Sequence, residues 1–406
     1  MSRPAPDGLD IAIIGGGIGG LAAAAFLARA GLSSTVYEQA SEIKEVGAGL
    51  VVAPNVARLL RRLGVLDAFV PRAVQLDVGW EFRRWKDGTV LSAEALATSC
   101  KELYGEHTYT AHRADLLDAI MSAVPDGTVR LGMRCVDVAL SEPRPVVQFG
   151  DGQVIRPDVV IGADGIHSVV RPVVAEARPA QYSGLCAFRA LVPADKAPSF
   201  ALRPAQTLWI GPGHHLVHYP VSAGELVNVV AFAPAGNYTV ESWSATATVD
   251  EFADEFQGWD PRLIELIRAA ESPGRWALLD RAPLGRWSGG RVTLLGDAAH
   301  PMFPFFAQGA AQAVEDAALL ALCLADEQRE PGRALTRYES HRMARTARLQ
   351  EVSHGRAHVN HLPDGPQQQA RDRTFALADP LVANSWIYEY DPEVALAARD
   401  GDEVPR

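Results

Sequence analysis

The sequence predicts an α/β fold: a Rossmann-like domain interrupted by a β-rich domain, with further helices towards the C-terminus. Three segments, each following or containing an apolar run, predict it. They are Gly15-Gly16-Gly17-Ile18-Gly19-Gly20 after Ile11–Ile14, then Asp158-Val159-Val160-Ile161-Gly162-Ala163-Asp164-Gly165, then Leu294-Leu295-Gly296-Asp297-Ala298-Ala299-His300-Pro301. They stand at the start, the middle and the late part of the chain, with strand-like stretches between them.

The chain opens as a βαβ unit. Ile11-Ala12-Ile13-Ile14 has the β-branched density of a strand buried on both faces. Leu21–Ala30 is rich in Ala and Leu and reads as a helix, with Gly31 as its stop. Ser34–Tyr37 is the second strand, and a helix over 55–62 sits between Pro54 and Gly64. From residue 74 the texture changes: 74–85 alternates, and Asp87-Gly88 signals a hairpin. A helix over 115–124 precedes short strands at 128–161, and 182–233 is again strand-like with many turns. Helices over 249–256 and 261–270 lead to a buried strand at 291–295. Long helices follow over 309–326 and 334–355, and from His361 onward the chain is polar and proline-interrupted.

Gly15, Gly17 and Gly20 fit GxGxxG. The first glycine permits a tight turn, the second admits a pyrophosphate to the backbone, and the third lets helix meet strand. Glu38, followed by Gln39, ends the second strand, where an acidic group accepts ribose hydroxyls. Asp297 follows a strand and can hold a ribitol or ribose hydroxyl. A helix starting at Gln308-Gly309-Ala310 would turn its N-terminal amides on the pyrimidine edge of a flavin, which is anionic when reduced. Asp164 could orient a side chain near the pyrophosphate, although Asp-Gly is also a common turn dipeptide. Together the three segments predict FAD.

His214-His215-Leu216-Val217-His218-Tyr219 reads as a strand, and alternation puts His215, Val217 and Tyr219 on one face. Some 13 Å of strand separates His215 from Tyr219, so they flank a planar ligand rather than bond one atom. A histidine and a phenol suit the movement of a phenolic proton, though structural histidines are also common. His354, His358 and His361 recur at helical spacing, but a fourth ligand is lacking, so a polar helix end is read there and no metal. Arginines 333, 337, 342, 345 and 348 read as a solvated face.

The net charge of −11 argues against nucleic acid or an anionic membrane as partner. Four cysteines far apart suggest a reducing, cytoplasmic setting, and no signal-peptide or membrane-spanning pattern is read.

The three segments together resemble the group A flavoprotein aromatic hydroxylases, single-component FAD monooxygenases with the para-hydroxybenzoate hydroxylase fold. The nearest branch is the salicylate, 3-hydroxybenzoate and 6-hydroxynicotinate hydroxylases. That likeness is carried by Gly47-Ala48-Gly49 with Pro54-Asn55, His112–Leu116, Tyr182-Ser183-Gly184 with Arg189-Ala190-Leu191, and His215 with Tyr219. It continues in Ala307–Ala311 with Glu315–Ala318, and in Trp386–Asp391. The resemblance implies NAD(P)H as co-substrate and O2 as oxidant. It implies transfer of oxygen from a C4a-hydroperoxyflavin to a hydroxylated aromatic or heteroaromatic acid. It also implies that Arg113 contacts FAD, that His215 and Tyr219 line the substrate, and that Gln308 lies beside the flavin. Val51 departs from the 6-hydroxynicotinate branch, which carries histidine there, and Phe305-Phe306 make an aromatic wall that suits a benzenoid. The expected layout is an FAD-binding domain from 1–73, 105–177 and 284–360, a β-rich substrate domain from 74–104 and 178–283, and a C-terminal segment 361–406. The chain would act as a monomer or homodimer. A flavin oxidase or reductase without hydroxylation, or a non-catalytic FAD sensor, are the alternatives.

Overall fold

The structure is a computed structural model that describes residues 8–43, 49–141, 143–176, 180–236 and 245–402. Gly47 and Ala48, which the sequence singles out, lie outside the described residues.

A six-stranded sheet runs in the order Ser288–Gly289, Val292–Leu294, Val159–Gly162, Ile11–Ile14, Ser34–Tyr37, Val129–Arg130. Its central strands are parallel, and all four residues of Ile11–Ile14 are buried. The register is what matters for function. Ile14 pairs with Gly162 and with Tyr37, and Gly162 pairs with Leu294. The three sequence segments and Glu38 therefore leave the sheet side by side at the carboxyl ends of its strands, where open α/β sheets bind ligands.

Two helices cover this edge, Ile18–Arg29 and Gly309–Asp326. Small residues let them approach. A Cβ on Gly19 would stand 2.6 Å from Leu295 Cδ2 and 3.2 Å from Ala313 Cβ. A Cβ on Gly20 would stand 1.9 Å from the Gly15 carbonyl oxygen, so only glycine closes the turn.

The second large sheet has seven strands in the order Gly274–Asp280, Gln181–Pro193, Leu226–Pro234, His214–Val221, Ala205–Gly211, Val78–Arg84, Val90–Ala95. Alternation gives it two faces. Phe188, Leu216, Val229 and Ala231 pack with Phe252, Phe256 and Leu263 from the helices Val249–Glu255 and Pro261–Arg268. The other face presents Ala187, Val230, Phe232 and Trp276, which meet Phe303 and Phe305.

The helix expected over 334–355 runs from Pro331 to Asn360, and four shorter helices follow it. Pro366, Pro380 and Pro392 each open one of them, where the missing N–H costs nothing. On the long helix Arg333 and Arg348 are exposed, as a solvated face requires, but Arg342 and Arg345 correct that reading. Arg342 is fully buried and ion-paired to Glu315 and Asp316, while Arg345 pairs with Glu315 and lies over Tyr390. Among the described residues no helix is long and apolar enough to cross a membrane.

The C-terminal helices are tied down through Glu94, a buried carboxyl that accepts from Tyr388 Oη at 3.0 Å and Asn384 Nδ2 at 3.3 Å. Burial raises its pKa from 4.5 to about 7. With the folded value raised, this contribution is full below pH 4.5 and is lost as pH climbs through about 7. Wild-type stability should fall by up to about 3 kcal/mol between pH 4.5 and 8 through this group alone. Glu94→Gln should flatten that slope and be the more stable protein at pH 8. Chemical denaturation at the two pH values checks this, and parallel curves for both proteins would contradict it.

Candidate active site

A cavity of about 530 Å³ opens at the carboxyl ends of the six-stranded sheet. Gly15, Gly17, Glu38, Gln39, Arg113, Asp164, Asp297, Gly309 and Ala310 line it. Of the cofactor residues expected from sequence, Gly20 alone is absent, because it shapes the turn behind the cavity.

The local geometry fits FAD. No side chain caps the helix that starts at Ile18, and a Cβ on Gly17 would touch nothing within 4 Å. Its first amides are thus open to a pyrophosphate. Glu38 braces the glycine turn, accepting from Gly16 N at 2.6 Å and Ala40 N at 2.8 Å. A carboxylate has about four acceptor sites, so it can still receive ribose hydroxyls. Asp297 is exposed to the cavity. The helix from Gly309 also lacks a side-chain cap, and Ala307 before it adopts φ 52°, a strained turn that aims the helix start at the cavity.

Asp164 lines the cofactor cavity and also builds the turn that follows it. Its carboxylate accepts from Ser168 Oγ, Val169 N and Val170 N, which fixes the 164–170 turn. Arg171 then donates from Nε to the Ala298 carbonyl at 2.7 Å and from Nη2 to the Asp297 carbonyl at 2.9 Å. The second motif thereby holds the third in place.

A second cavity, about 250 Å³, shares Arg113, Asp297, Gly309 and Ala310 with the first. Trp80, Phe232, Trp276, Phe303 and Phe305 give it aromatic walls. Its polar lining is Arg189, Gln206, His215 and Tyr219. His215, Val217 and Tyr219 lie on the cavity face of one strand, as alternation requires. Val51 lines it too, so the wall is apolar there. Gly49 runs against Tyr219: a Cβ would stand 2.7 Å from its ring and 2.5 Å from Asn228 Cγ.

Burial sets the charge states. It pushes His215 well below the ordinary histidine value, with His361 adding to the effect. It pushes the Tyr219 phenol up, opposed by the Arg189 cation. Arg189 itself is brought down to about 10 by burial. At neutral pH the cavity therefore holds a neutral imidazole, a neutral phenol and a buried guanidinium, the last 5.0 Å over the Trp276 ring.

Gln308 does not line this cavity. Its Oε1 accepts from Asn55 Nδ2 at 3.1 Å and Gln312 Nε2 at 3.3 Å, inside the buried network around Glu315. Its side chain is buried there, and its backbone stands just before the helix start at Gly309. Sequence reasoning passed over Trp276 and Gln206, and it read His361 only as part of a polar helix end. For Arg189, an arginine inside the apolar strand 185–192 was the available signal. The histidines at 354 and 361 part ways: His354 meets Asp280 at 2.7 Å, and His361 meets His215 at 2.6 Å.

Residues 8–353 match the family described as FAD binding domain. The chain is 44% identical over 381 residues to the 3-amino-4-hydroxybenzoate 2-monooxygenase PtmB3 of Streptomyces platensis, covering 94% of this chain and 96% of that one. It is 36% identical over 384 residues to the 3-hydroxybenzoate 6-hydroxylase 1 of Aquipseudomonas alcaligenes, covering 93% and 96%. A salicylate hydroxylase substrate complex superposes with a TM-score of 0.81 at 27% identity, over 97% of this chain and 98% of that one. Those matches bear out the resemblance read from the sequence. The chain belongs to the FAD binding domain family and is an FAD-dependent aromatic monooxygenase.

Proposed function

We propose that the chain hydroxylates a hydroxylated aromatic or heteroaromatic acid, using NAD(P)H and O2. The observation that carries this reading is the second cavity. It is aromatic-walled, joined to the FAD site, and holds a buried cation beside a neutral imidazole and a phenol. Held by the glycine turn, Glu38 and Asp297, FAD would supply the redox chemistry that spends NAD(P)H and O2, with one oxygen atom entering the ring and the other leaving as water.

The protein's own part follows from its residues. Arg189 pairs with the substrate carboxylate, which offsets the cost of holding both charges out of water. Trp276 and Phe232 lie along the ring. His215 Nε2 takes the proton of the ring hydroxyl, making the ring more nucleophilic. Tyr219, held protonated, acts as a hydrogen-bond donor rather than as the base. The aromatic walls exclude water, which would divert the oxygen to peroxide. Strand membership supports the domain division: 78–84 and 90–95 join the same sheet as 181–280, while 11–14, 159–162 and 292–294 join the other. Four buried free cysteines accord with a reducing cytoplasm, where the protein works as a monomer or homodimer.

A screen of NAD(P)H oxidation over hydroxybenzoates and hydroxynicotinates, run under labelled O2, tests the reading. Label in the organic product supports it; label only in peroxide would make the chain an oxidase. Arg189→Met should raise KM for the acid by roughly 30-fold or more, the worth of a buried charge-assisted hydrogen bond. The matching carboxamide should bind equally well to both proteins. An unchanged KM for the acid would remove Arg189 from the site.

A further inference from the structure

The reaction as proposed loads a proton onto His215, and His215 is almost completely buried. A proton taken up there needs a way out. His215 Nδ1 lies 2.6 Å from His361 Nε2, and the two ring centroids are 4.8 Å apart. His361 is partly exposed at the end of the helix Pro331–Asn360. Its carbonyl accepts from Gly213 N at 3.0 Å, which pins it to the hairpin that leads into the His215 strand. Among the described residues His215 Nε2 makes no hydrogen bond, so that nitrogen is the one left for the cavity.

We propose that His361 is a relay residue that carries the substrate's hydroxyl proton from His215 to solvent and brings one back for the product. This rests on the hydroxylase reading above. The substrate O–H bond breaks as His215 Nε2 binds the proton. The Nδ1–H of the resulting imidazolium passes to His361 Nε2, and the Nδ1–H of His361 goes to water. The same transfers in reverse return one proton to the product oxygen and restore both tautomers.

The surroundings favour transit over storage. Phe232 stacks on His215 at 4.5 Å and Phe305 meets it edge-on at 5.0 Å, so neither side offers a counter-ion. The charged and titratable groups facing the pair are His214, whose Nε2 lies 3.4 Å from Glu255, and Arg356, whose guanidinium sits over Phe306 at 4.8 Å. The arginine on one side disfavours a resting imidazolium, and the Glu255 carboxylate is engaged with His214. A proton arriving at His215 therefore moves on.

The test compares wild type, His361→Gln and His361→Leu as FAD-loaded enzymes. Three quantities are read: flavin reduction by NAD(P)H, product formed per NAD(P)H, and the pH profile of hydroxylation. Glutamine keeps a hydrogen-bond partner for His215 but cannot pass a proton. Expected are wild-type flavin reduction in both variants, hydroxylation slowed by roughly 10- to 100-fold near neutral pH, a changed pH profile, and partial rescue by added imidazole. If His361→Gln hydroxylates at the wild-type rate with the wild-type pH profile, His361 merely positions its neighbour and the relay is overturned. Equal loss of flavin reduction and hydroxylation also overturns it. A wild-type enzyme that hydroxylates no aromatic acid overturns the hydroxylase reading, and the relay with it.

Discussion

His215→Ala should lose about 10²- to 10⁴-fold in hydroxylation while FAD stays bound, the range expected for a positioned general base. The imidazole lines the substrate cavity, not the larger one that the glycine turn and Glu38 enclose. Flavin colour, flavin reduction and FAD affinity should therefore survive. Burial keeps the ring neutral, so it can accept a proton across the working range and needs no prior deprotonation. A neutral phenol left in the cavity makes a poorer nucleophile, and consumed NAD(P)H should appear as peroxide rather than as product. His215→Gln separates loss of the base from loss of volume: it refills the space but cannot take the proton. Product yield per NAD(P)H, the flavin spectrum and a thermal melt on all three proteins check the expectation. Normal hydroxylation in either variant would remove His215 from the base role.

The parts of this molecule that were readable in its sequence are those fixed by local rules. Strand, turn and helix around Gly15–Gly20 follow from β-branched density, glycine and an Ala/Leu run. The faces of His214–Val221 follow from a period of two, which alone sets His215 and Tyr219 in one wall. What escaped depends on partners distant in sequence. Arg342 has the spacing of an exposed helix residue, and nothing near it announces Glu315 and Asp316 on another helix. His361 ends a polar helix, and its partner lies 146 residues earlier. Gln308 precedes a helix start that faces the flavin site, yet its side chain joins Asn55, 253 residues away in the chain. Adjacency in the chain fixes where a backbone goes. The direction of a side chain depends on what the rest of the fold brings to it.

Arg342→Met should destabilise the protein by about 3–5 kcal/mol, the cost of leaving buried charge uncompensated. Arg342 Nε donates to Asp316 Oδ1 at 2.6 Å, Nη1 to Glu315 Oε2 at 2.7 Å and Nη2 to Gln312 Oε1 at 2.6 Å. All four side chains are buried. Arg345 remains to hold Glu315, at 2.8 and 2.9 Å, but among the described residues Asp316 keeps only its contact with His300, at 2.5 Å, as a possible positive partner. Asp316 also accepts from Gly296 N at 3.0 Å, one residue before Asp297 in the cofactor cavity. The damage should therefore reach the flavin: FAD affinity falls, and excess FAD restores part of the lost melting temperature. Glu315 and Asp316 are both held below their ordinary values, Asp316 at about 2. Their contribution is present above the unfolded-state values near 4 and disappears as pH falls. The variant should consequently lose most relative to wild type at neutral pH and least in acid. Pairing Arg342→Met with Asp316→Asn should recover stability relative to the single change, because the orphaned charge goes with its partner. Urea titrations at pH 7 and pH 3, with and without FAD, measure each of these differences. If Arg342→Met melts with wild type, or the pair is worse than the sum of the singles, the network is not what holds the third motif in place.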